Sequence, residues 1–593
     1  MIGRDGVGDA GTRARVRTAL PALLAAALVA LVAACFLPSL GNEFLPDWDD
    51  GYYLIDNPIV RGGLTPQGVW RAFTERHGAN WIPLTWLSHM ADVSAFGLVA
   101  WKHRLVNVAL HAANAVLVFA LLRRATGALW ASALTAAIFA AHPLRVESVV
   151  WVAERKDVLS AFFGLLSLLA YLRWVRGRRP AALAACAGLL ALSLLAKPML
   201  VTLPVLLLAL DLWPLGRLDA RTWRRRVIEK LPLAALAAAV AVVTLVTQQR
   251  GGAMRAATLA ERVLNAVVSY ARYLELTLVP AGLSPMYAAV RGGPGLAASA
   301  VSLATLALVT VLVVRFGGRF PWLVFGWAWY AVALAPVAGF VPVGAATMAD
   351  RYTYLPLLGP VAALVWSCRA GVAARPRLAR GALAASCLAI LALGGLTVRQ
   401  ERIWHDELTL FLYAKDHMPP SAEVEYDLAV FRQKNGDLTA AEEHYRRAIA
   451  LDPGKAEAMV NLGEILFARG DGDGAVALYR GAIAAKPRLA TAWNNLGAAL
   501  EAAGRDGESI AAFRRAVALD PGYVAAHLNL GGALAARGGE EEARRQFATA
   551  ARLDPASALA RYQFGVALAR AGRLAEAVAE LSEAAALDPQ DVQ

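Results

Sequence analysis

Four carboxylates crowd a short stretch near the start of the chain, Pro46-Asp47-Trp48-Asp49-Asp50-Gly51-Tyr52-Tyr53, which runs on to Asp56-Asn57-Pro58. A carboxylate in such a cluster can take the proton of an attacking hydroxyl or ligate a divalent cation. A solvated acidic turn is the competing reading. A second polar stretch reads His142-Pro143-Leu144-Arg145-Val146-Glu147-Ser148 and continues to Glu154-Arg155-Lys156-Asp157. Helical spacing puts Glu147, Glu154 and Asp157 near one face, with Arg145 and Lys156 close by. That set can neutralise itself as an ion-pair network, or clamp a lipid-linked phosphate through a planar arginine fork and a lysine point charge. Lys197-Pro198 and Asp350-Arg351-Tyr352-Thr353-Tyr354-Leu355-Pro356 add cations beside aromatic rings. Taken singly, a lysine near a span end snorkels to head groups, and an arginine beside tyrosines anchors an interface.

The elements that must position these residues are apolar. Of 593 residues, 58% are hydrophobic and 18% charged, against about 45–50% and about 25% in soluble domains. A crossing helix needs about 20 apolar residues. The candidate spans are 19–39, 104–122, 127–142, 157–172, 180–196, 198–214, 231–247, 296–314, 321–340, 352–369 and 381–398. The first is read as a retained span rather than a cleaved leader, because many spans follow. Basic clusters at Arg13/Arg15/Arg17, Arg123/Arg124, Arg173–Arg179, Arg217–Lys230, Arg315/Arg319 and Arg369–Arg380 all reach the cytoplasm if eleven spans start from a cytoplasmic N-terminus. This requires that 259–281, which carries Glu261, Arg262, Arg272 and Glu275, stays at the interface. The polar stretches then converge on one outer face, and that convergence lifts the functional reading.

The net charge of +13 sits in these short clusters, so it reads as a topology signal and nucleic-acid binding is disfavoured. Cys35, Cys186, Cys368 and Cys387 all fall in apolar runs, which argues against a disulfide framework or a cysteine metal site. No other metal ligands are singled out. No G-x-x-x-x-G-K-S/T, G-x-S-x-G or H-E-x-x-H is present, so nucleotide-driven pumping and serine hydrolysis have no support.

The tail is different. Pro453, Pro487, Pro521, Pro555 and Pro589 recur at one fixed step. Gly463, Gly497, Gly531 and Gly565 keep it, as do the small series Ala448 to Ala584 and the bulky series Tyr445, Tyr479, Phe513, Phe547 and Leu581. A step of about 34 residues with this pattern is the tetratricopeptide (TPR) signature. Five repeats from about Ala422 predict a solenoid with a concave face. Asn461, Asn494, Asn495 and Asn529 recur on successive first helices, where they can bind an extended acceptor backbone or serve as polar consensus positions.

At its loops the chain resembles the transmembrane and TPR-containing protein O-mannosyltransferases, a family of GT-C membrane glycosyltransferases. The matching stretches are Trp48-Asp49-Asp50-Gly51-Tyr52 with Asn57-Pro58, Pro83-Leu84-Thr85, His103-Arg104-Leu105-Val106-Asn107 with His111, His142-Pro143 with Glu147, Arg155, Asp157, and Arg351-Tyr352-Thr353-Tyr354-Leu355-Pro356. The resemblance implies an all-α protein: a GT-C-like bundle of about eleven spans (19–400) after a cytoplasmic segment (1–18), a linker helix (401–421) and the TPR solenoid (422–593). It implies transfer of a sugar, usually mannose, from a lipid phosphate to protein Ser/Thr. In a bacterial inner membrane the carrier would be a polyprenyl phosphate and the solenoid periplasmic. Carried over, Asp50 or Asp49 is the base, with Asp50 preferred, and His142, Glu147, Arg155, Lys197, Arg351 and Tyr352 line the donor pocket. A divalent cation is compatible, though no ligand set is assigned. The alternatives are a membrane-anchored TPR scaffold without catalysis, and a GT-C enzyme acting on lipid or polysaccharide.

Overall fold

The structure, a computed structural model, describes residues 5–75, 77, 80–250, 258–285, 287, 294–339 and 348–588. Pro589, last of the proline series, lies outside them. The described residues contain helices and two isolated bridges but no strand, so the chain is all-α. It divides into two compact units, Met1–Met418 and Pro419–Gln593.

The first unit holds fourteen longer helices: α1 (Asp5–Phe36), α2 (Pro83–Phe96), α3 (Ala100–Thr126), α4 (Leu129–Ala141), α5 (Arg155–Gly177), α6 (Pro180–Ala196), α7 (Leu203–Leu212), α8 (Leu231–Arg250), α9 (Leu259–Leu278), α10 (Leu296–Gly317), α11 (Pro321–Leu334), α12 (Leu358–Ala374), α13 (Ala379–Glu401) and α14 (Glu407–His417). Each apolar run of the sequence forms a helix. Among the described residues, six stretches are long and apolar enough to cross a membrane alone: Ala19–Gly41, Ala100–Thr126, Val152–Gly177, Leu231–Gln249, Leu296–Gly317 and Pro376–Trp404. The bent pair Leu129–Ala141 and Pro143–Val150 makes a seventh. Four further apolar runs are shorter helices of 10–17 residues. The unit is a multi-pass membrane bundle. Helix α9 is not among the crossing candidates. It opens on a capping box in which the Thr258 hydroxyl accepts from the Glu261 amide and the Glu261 carboxylate accepts from the Thr258 amide.

Local chemistry explains where these helices stop and touch. Gly127, at φ +72°, ends α3 in the left-handed region, with Arg123 and Arg124 in the last turn against the negative end of the helix dipole. Helices α11 and α12 cross backbone to backbone, for a Cβ on Gly326 would stand 2.6 Å from the Gly359 carbonyl oxygen. Small residues at such crossings are what membrane helices use in place of a hydrophobic driving force.

Between α4 and α5 the chain does not turn in one step. A 3₁₀ turn (Pro143–Arg145), a short helix (Val146–Val150) and a second 3₁₀ turn (Val152–Glu154) follow a bend of 61°. Residues 141–161 are buried throughout. Broken backbone away from water must have its N–H and C=O groups satisfied by other protein groups, and buried polar side chains do this. The Arg104 guanidinium donates to Val150 O at 2.8 Å, Asn42 O at 2.7 Å and Glu43 O at 2.9 Å. The Asn107 amide donates to Val149 O and Trp151 O, both at 3.3 Å.

Among its described residues the second unit has ten helices in five consecutive pairs, from Ala422–Lys434 with Leu438–Leu451 to Ala558–Arg570 with Leu574–Leu587. The glycine series explains the pairing. A Cβ on Gly463, Gly497, Gly531 or Gly565 would meet the bulky side chain of its own repeat at 2.5, 2.6, 2.6 or 2.7 Å. Ala448, Ala482, Ala516 and Ala550 are fully buried. A further glycine series, Gly436, Gly470, Gly504, Gly538 and Gly572, takes positive φ at the turn inside each pair.

Candidate active site

The first loop is held by its own tight turn. Gly51 opens a single π-helical turn, Gly51–Ile55, pressed so closely on the Pro46 carbonyl that any Cβ would clash. This presents Asp49 and Asp50 in different surroundings. Asp50 is fully buried, and both its oxygens are engaged: Oδ2 accepts from the Leu45 amide at 3.0 Å and Oδ1 from the Ala153 amide at 2.8 Å. Burial pushes its carboxyl up to about 6, although the two amides and Arg104 oppose this. Asp49 is half-buried and has no hydrogen-bond or ion-pair partner among the described residues. Burial raises its carboxyl too, with Lys156 the main opposing charge, then Glu154 raising it and Arg351 and Lys197 lowering it.

Those charges form one buried cluster around Glu154, itself only 1% exposed. Glu154 Oε1 lies 3.0 Å from Lys156 Nζ and 3.3 Å from Arg351 Nε, and Oε2 lies 3.1 Å from Lys197 Nζ. Lys197 also reaches Asp157 Oδ1 at 2.7 Å, and the Ser148 hydroxyl donates to Asp157 Oδ2 at 3.1 Å. Arg351 pairs with Glu147 through its guanidinium, and its amide donates to Glu147 Oε2 at 2.7 Å. Aromatic rings wall the cations: Lys156 lies 4.5 Å from the Tyr53 ring centre, and Arg351 5.4 Å from Trp151 and 5.2 Å from Tyr352. Burial, helped by Asp49 and Glu154 and opposed by Lys156, pushes the Tyr53 hydroxyl up to about 12. Beside the cluster, Asp350 accepts from the Tyr287 hydroxyl at 2.7 Å, and burial together with Glu147 raises its carboxyl well above the usual range. From Asp157 an apolar cleft runs along Ala161, Leu200, Tyr354 and Leu355.

The structure therefore gathers Asp49, Glu147, Lys197, Arg351 and Tyr352, together with Glu154, Lys156 and Asp157 of the second polar stretch. It keeps two others apart. Both ring nitrogens of His142 are engaged with backbone: Nδ1 accepts from the Leu144 amide at 3.3 Å, and Nε2 lies 3.1 Å from Thr277 O. Arg155 turns away from Lys156 into a separate polar pocket, donating to Asn107 Oδ1 at 2.8 Å and His103 O at 2.6 Å, and pairing with Asp92. That pocket also holds His89 and His103. In the sequence, three ligand-type residues spread over 89–103 mark it, at a spacing that matches no familiar motif. In the second unit the asparagines mostly bind one another. Asn529 donates to Asn494 Oδ1 at 3.0 Å, Asn494 to Asn495 Oδ1 at 3.2 Å and Asn495 to Glu464 at 2.7 Å, while Asn461 donates to the Tyr445 hydroxyl at 3.0 Å.

A multi-pass helical bundle with a buried ionic cluster, followed by repeat hairpins, is the class of protein these features define. A family model described as tetratricopeptide repeat matches residues 426–490, 473–524, 507–544 and 528–592. The chain is 25% identical to protein O-mannosyl-transferase TMTC1 of Homo sapiens over 532 residues, covering 78% of this chain and 59% of that one. It is 26% identical to human TMTC4 over 478 residues, covering 69% and 64%. Over a shorter stretch of 155 residues it is 33% identical to Tmtc2 of Drosophila melanogaster, covering 24% of this chain and 16% of that protein. The chain thus spans less than two thirds of these relatives' length. Together the likenesses support a TMTC-like, TPR-containing family for the chain.

Proposed function

We propose that this protein is a membrane glycosyltransferase that moves a sugar, mannose by the relatives' names, from a polyprenyl-phosphate donor to Ser/Thr hydroxyls of protein acceptors. The observation that carries the reading is Asp49, a half-buried carboxylate without a partner among the described residues, facing three cations that a single carboxylate holds together. In the step, the acceptor oxygen attacks the anomeric carbon while Asp49 takes its proton. The bond from that carbon to the phosphate oxygen breaks, and the departing lipid phosphate keeps the electron pair, steadied by Arg351, Lys197 and Lys156. Attack and departure from opposite faces invert the anomeric centre. Asp50, preferred as the base from sequence, is fully buried with each oxygen accepting from one backbone amide; in this scheme it fixes Asp49 against the 152–154 turn. The apolar cleft beginning at Asp157 suits the first isoprene units of the donor. The repeats bind the acceptor polypeptide, and both activities lie on the outer face of a bacterial inner membrane with the N-terminus in the cytoplasm.

A second reading, a scaffold without catalysis, draws on one observation. Lys156, Lys197 and Arg351 are each already paired with Glu147, Glu154 or Asp157, so the cluster is neutral as a purely structural network would be. Purified protein in detergent, given polyprenyl-phosphate mannose and a Ser/Thr-rich peptide, separates the two. Transfer by the wild type and none by Asp49→Asn supports the enzyme; equal transfer by both removes Asp49 from the mechanism. No loss of envelope glycans on deleting the gene would favour the scaffold.

A further inference from the structure

The pocket into which Arg155 turns carries an inference of its own. His89 and Asp92 lie one turn apart on α2, and His103 lies on the first turn of α3. One ligand-type atom from each falls within 4.8 Å of the other two. His89 is 1% exposed, and among the described residues neither of its ring nitrogens has a hydrogen-bond partner. A buried polar side chain without a partner costs free energy unless something absent from the protein's own atoms satisfies it. His103 supplies the second observation. Its Nε2 lies 3.1 Å from the Gly97 carbonyl, which can only accept, so Nε2 carries the hydrogen and Nδ1 presents a lone pair. That Nδ1 stands 3.2 Å from Asp92 Oδ2 without forming a hydrogen bond. Either a second ring hydrogen or a cation must lie between these two atoms, and the partnerless nitrogens of His89 beside them favour the cation.

We propose that His89, His103 and Asp92 bind one divalent transition-metal ion of the zinc class, with a water or a backbone oxygen completing the shell. Two imidazole nitrogens and one carboxylate oxygen suit zinc or cobalt(II) far better than the all-oxygen shells of magnesium and calcium. The Gly97 carbonyl and the Arg155 guanidinium orient the two kinds of ligand from behind, the role outer-shell partners play at metal sites. The ion clips α2 to α3 at the base of the first loop. Among the described residues no hydrogen bond or ion pair joins His89, Asp92 or His103 to Glu154, Lys197 or Arg351, so the site is separate from the ionic cluster and stands whether or not the chain transfers sugars.

The test uses full-length protein purified in detergent through a tag without histidines. Metal content is measured after dialysis, and cobalt(II) is then titrated into the metal-stripped protein. The expected result is one ion per chain, a visible ligand-field spectrum of a four-coordinate cobalt site, and loss of both in His89→Gln and His103→Gln. His89 makes no hydrogen bond, so His89→Gln removes none; a monodisperse gel-filtration peak confirms that it folds. Should either variant fail to fold, the wild type alone decides. Wild-type protein that takes up no stoichiometric zinc or cobalt overturns the proposal, as does a wild-type metal content retained by both variants.

Discussion

The Ala153 amide donates to Asp50 Oδ1 at 2.8 Å across 103 positions of sequence, tying the first loop to the broken turn that carries Glu154. The two neighbouring carboxylates thereby stand in different surroundings, and under the proposed mechanism substitutions should separate a structural duty of Asp50 from a chemical one of Asp49.

Asp49→Asn is expected to lower transfer by a factor on the order of 10²–10⁴, the usual worth of a positioned base, with expression and melting temperature unchanged. Initial rates with a peptide acceptor check this. Asp50→Asn turns one oxygen into an amide that faces a backbone N–H, and leaving such a buried donor unpaired costs about 1–3 kcal/mol. Its signature is a lower melting temperature that accompanies any loss of rate.

Asp50 also has a pH signature. Its folded carboxyl sits near 6, above its unfolded value, so the fold holds the proton more tightly than the unfolded chain. Its contribution to stability is greatest at pH values below the unfolded carboxyl's range and is lost as pH rises through about 6. Relative to Asp50→Asn, the wild type should therefore gain melting temperature as pH falls from 7 toward 4. A gap that is constant across that window contradicts the assignment.

Lys156 is the main charge holding the Asp49 carboxyl down. Lys156→Gln should thus move the acid limb of the rate profile to higher pH, while Arg173→Gln on the distant part of α5 leaves it in place. The comparison is a pair of pH–rate profiles at saturating donor.

Arg351 pairs with Glu147 and Glu154. Arg351→Met strands buried carboxylates, costing about 3–5 kcal/mol, and should cut the rate on the order of 10²–10³-fold. Glu147→Gln in the same chain should restore part of the melting temperature but not the rate. Restoration of both would mean that Arg351 acts through folding alone.

In the second unit, Gly497→Val drives a side chain into Phe513, which a Cβ would already meet at 2.6 Å. Overpacking of this kind costs about 1–3 kcal/mol. Limited proteolysis should show accelerated cleavage around residues 490–519 with the first unit intact.

The repeats were the most legible part of the chain because each pairs a glycine with a bulky side chain inside one short hairpin, so the sequence period is the packing period. The spans were legible as apolar runs, although four of them form helices shorter than a bilayer crossing. The ion cluster was half legible. Residue types and helical spacing gave Glu147, Glu154, Asp157, Lys197 and Arg351, but not that Glu154 is the acid on which three cations meet. No linear pattern shows that Arg155 and Lys156, neighbours in sequence, enter different pockets. That division depends on Asn107, Asp92 and the His103 carbonyl capturing the guanidinium. Nor does spacing reveal that the resembling residues Arg104 and Asn107 tie down broken backbone rather than face the acids.

Glu154 meets one cation, Lys156, just beyond itself in sequence and two from farther along the chain, the last of which, Arg351, is synthesised nearly two hundred residues after the acid it meets. During biogenesis this acid can complete its set of cations only after several later helices have been made. A chain halted before Arg351 would leave this centre open however well its earlier helices had inserted, giving quality-control proteases a marker of unfinished assembly.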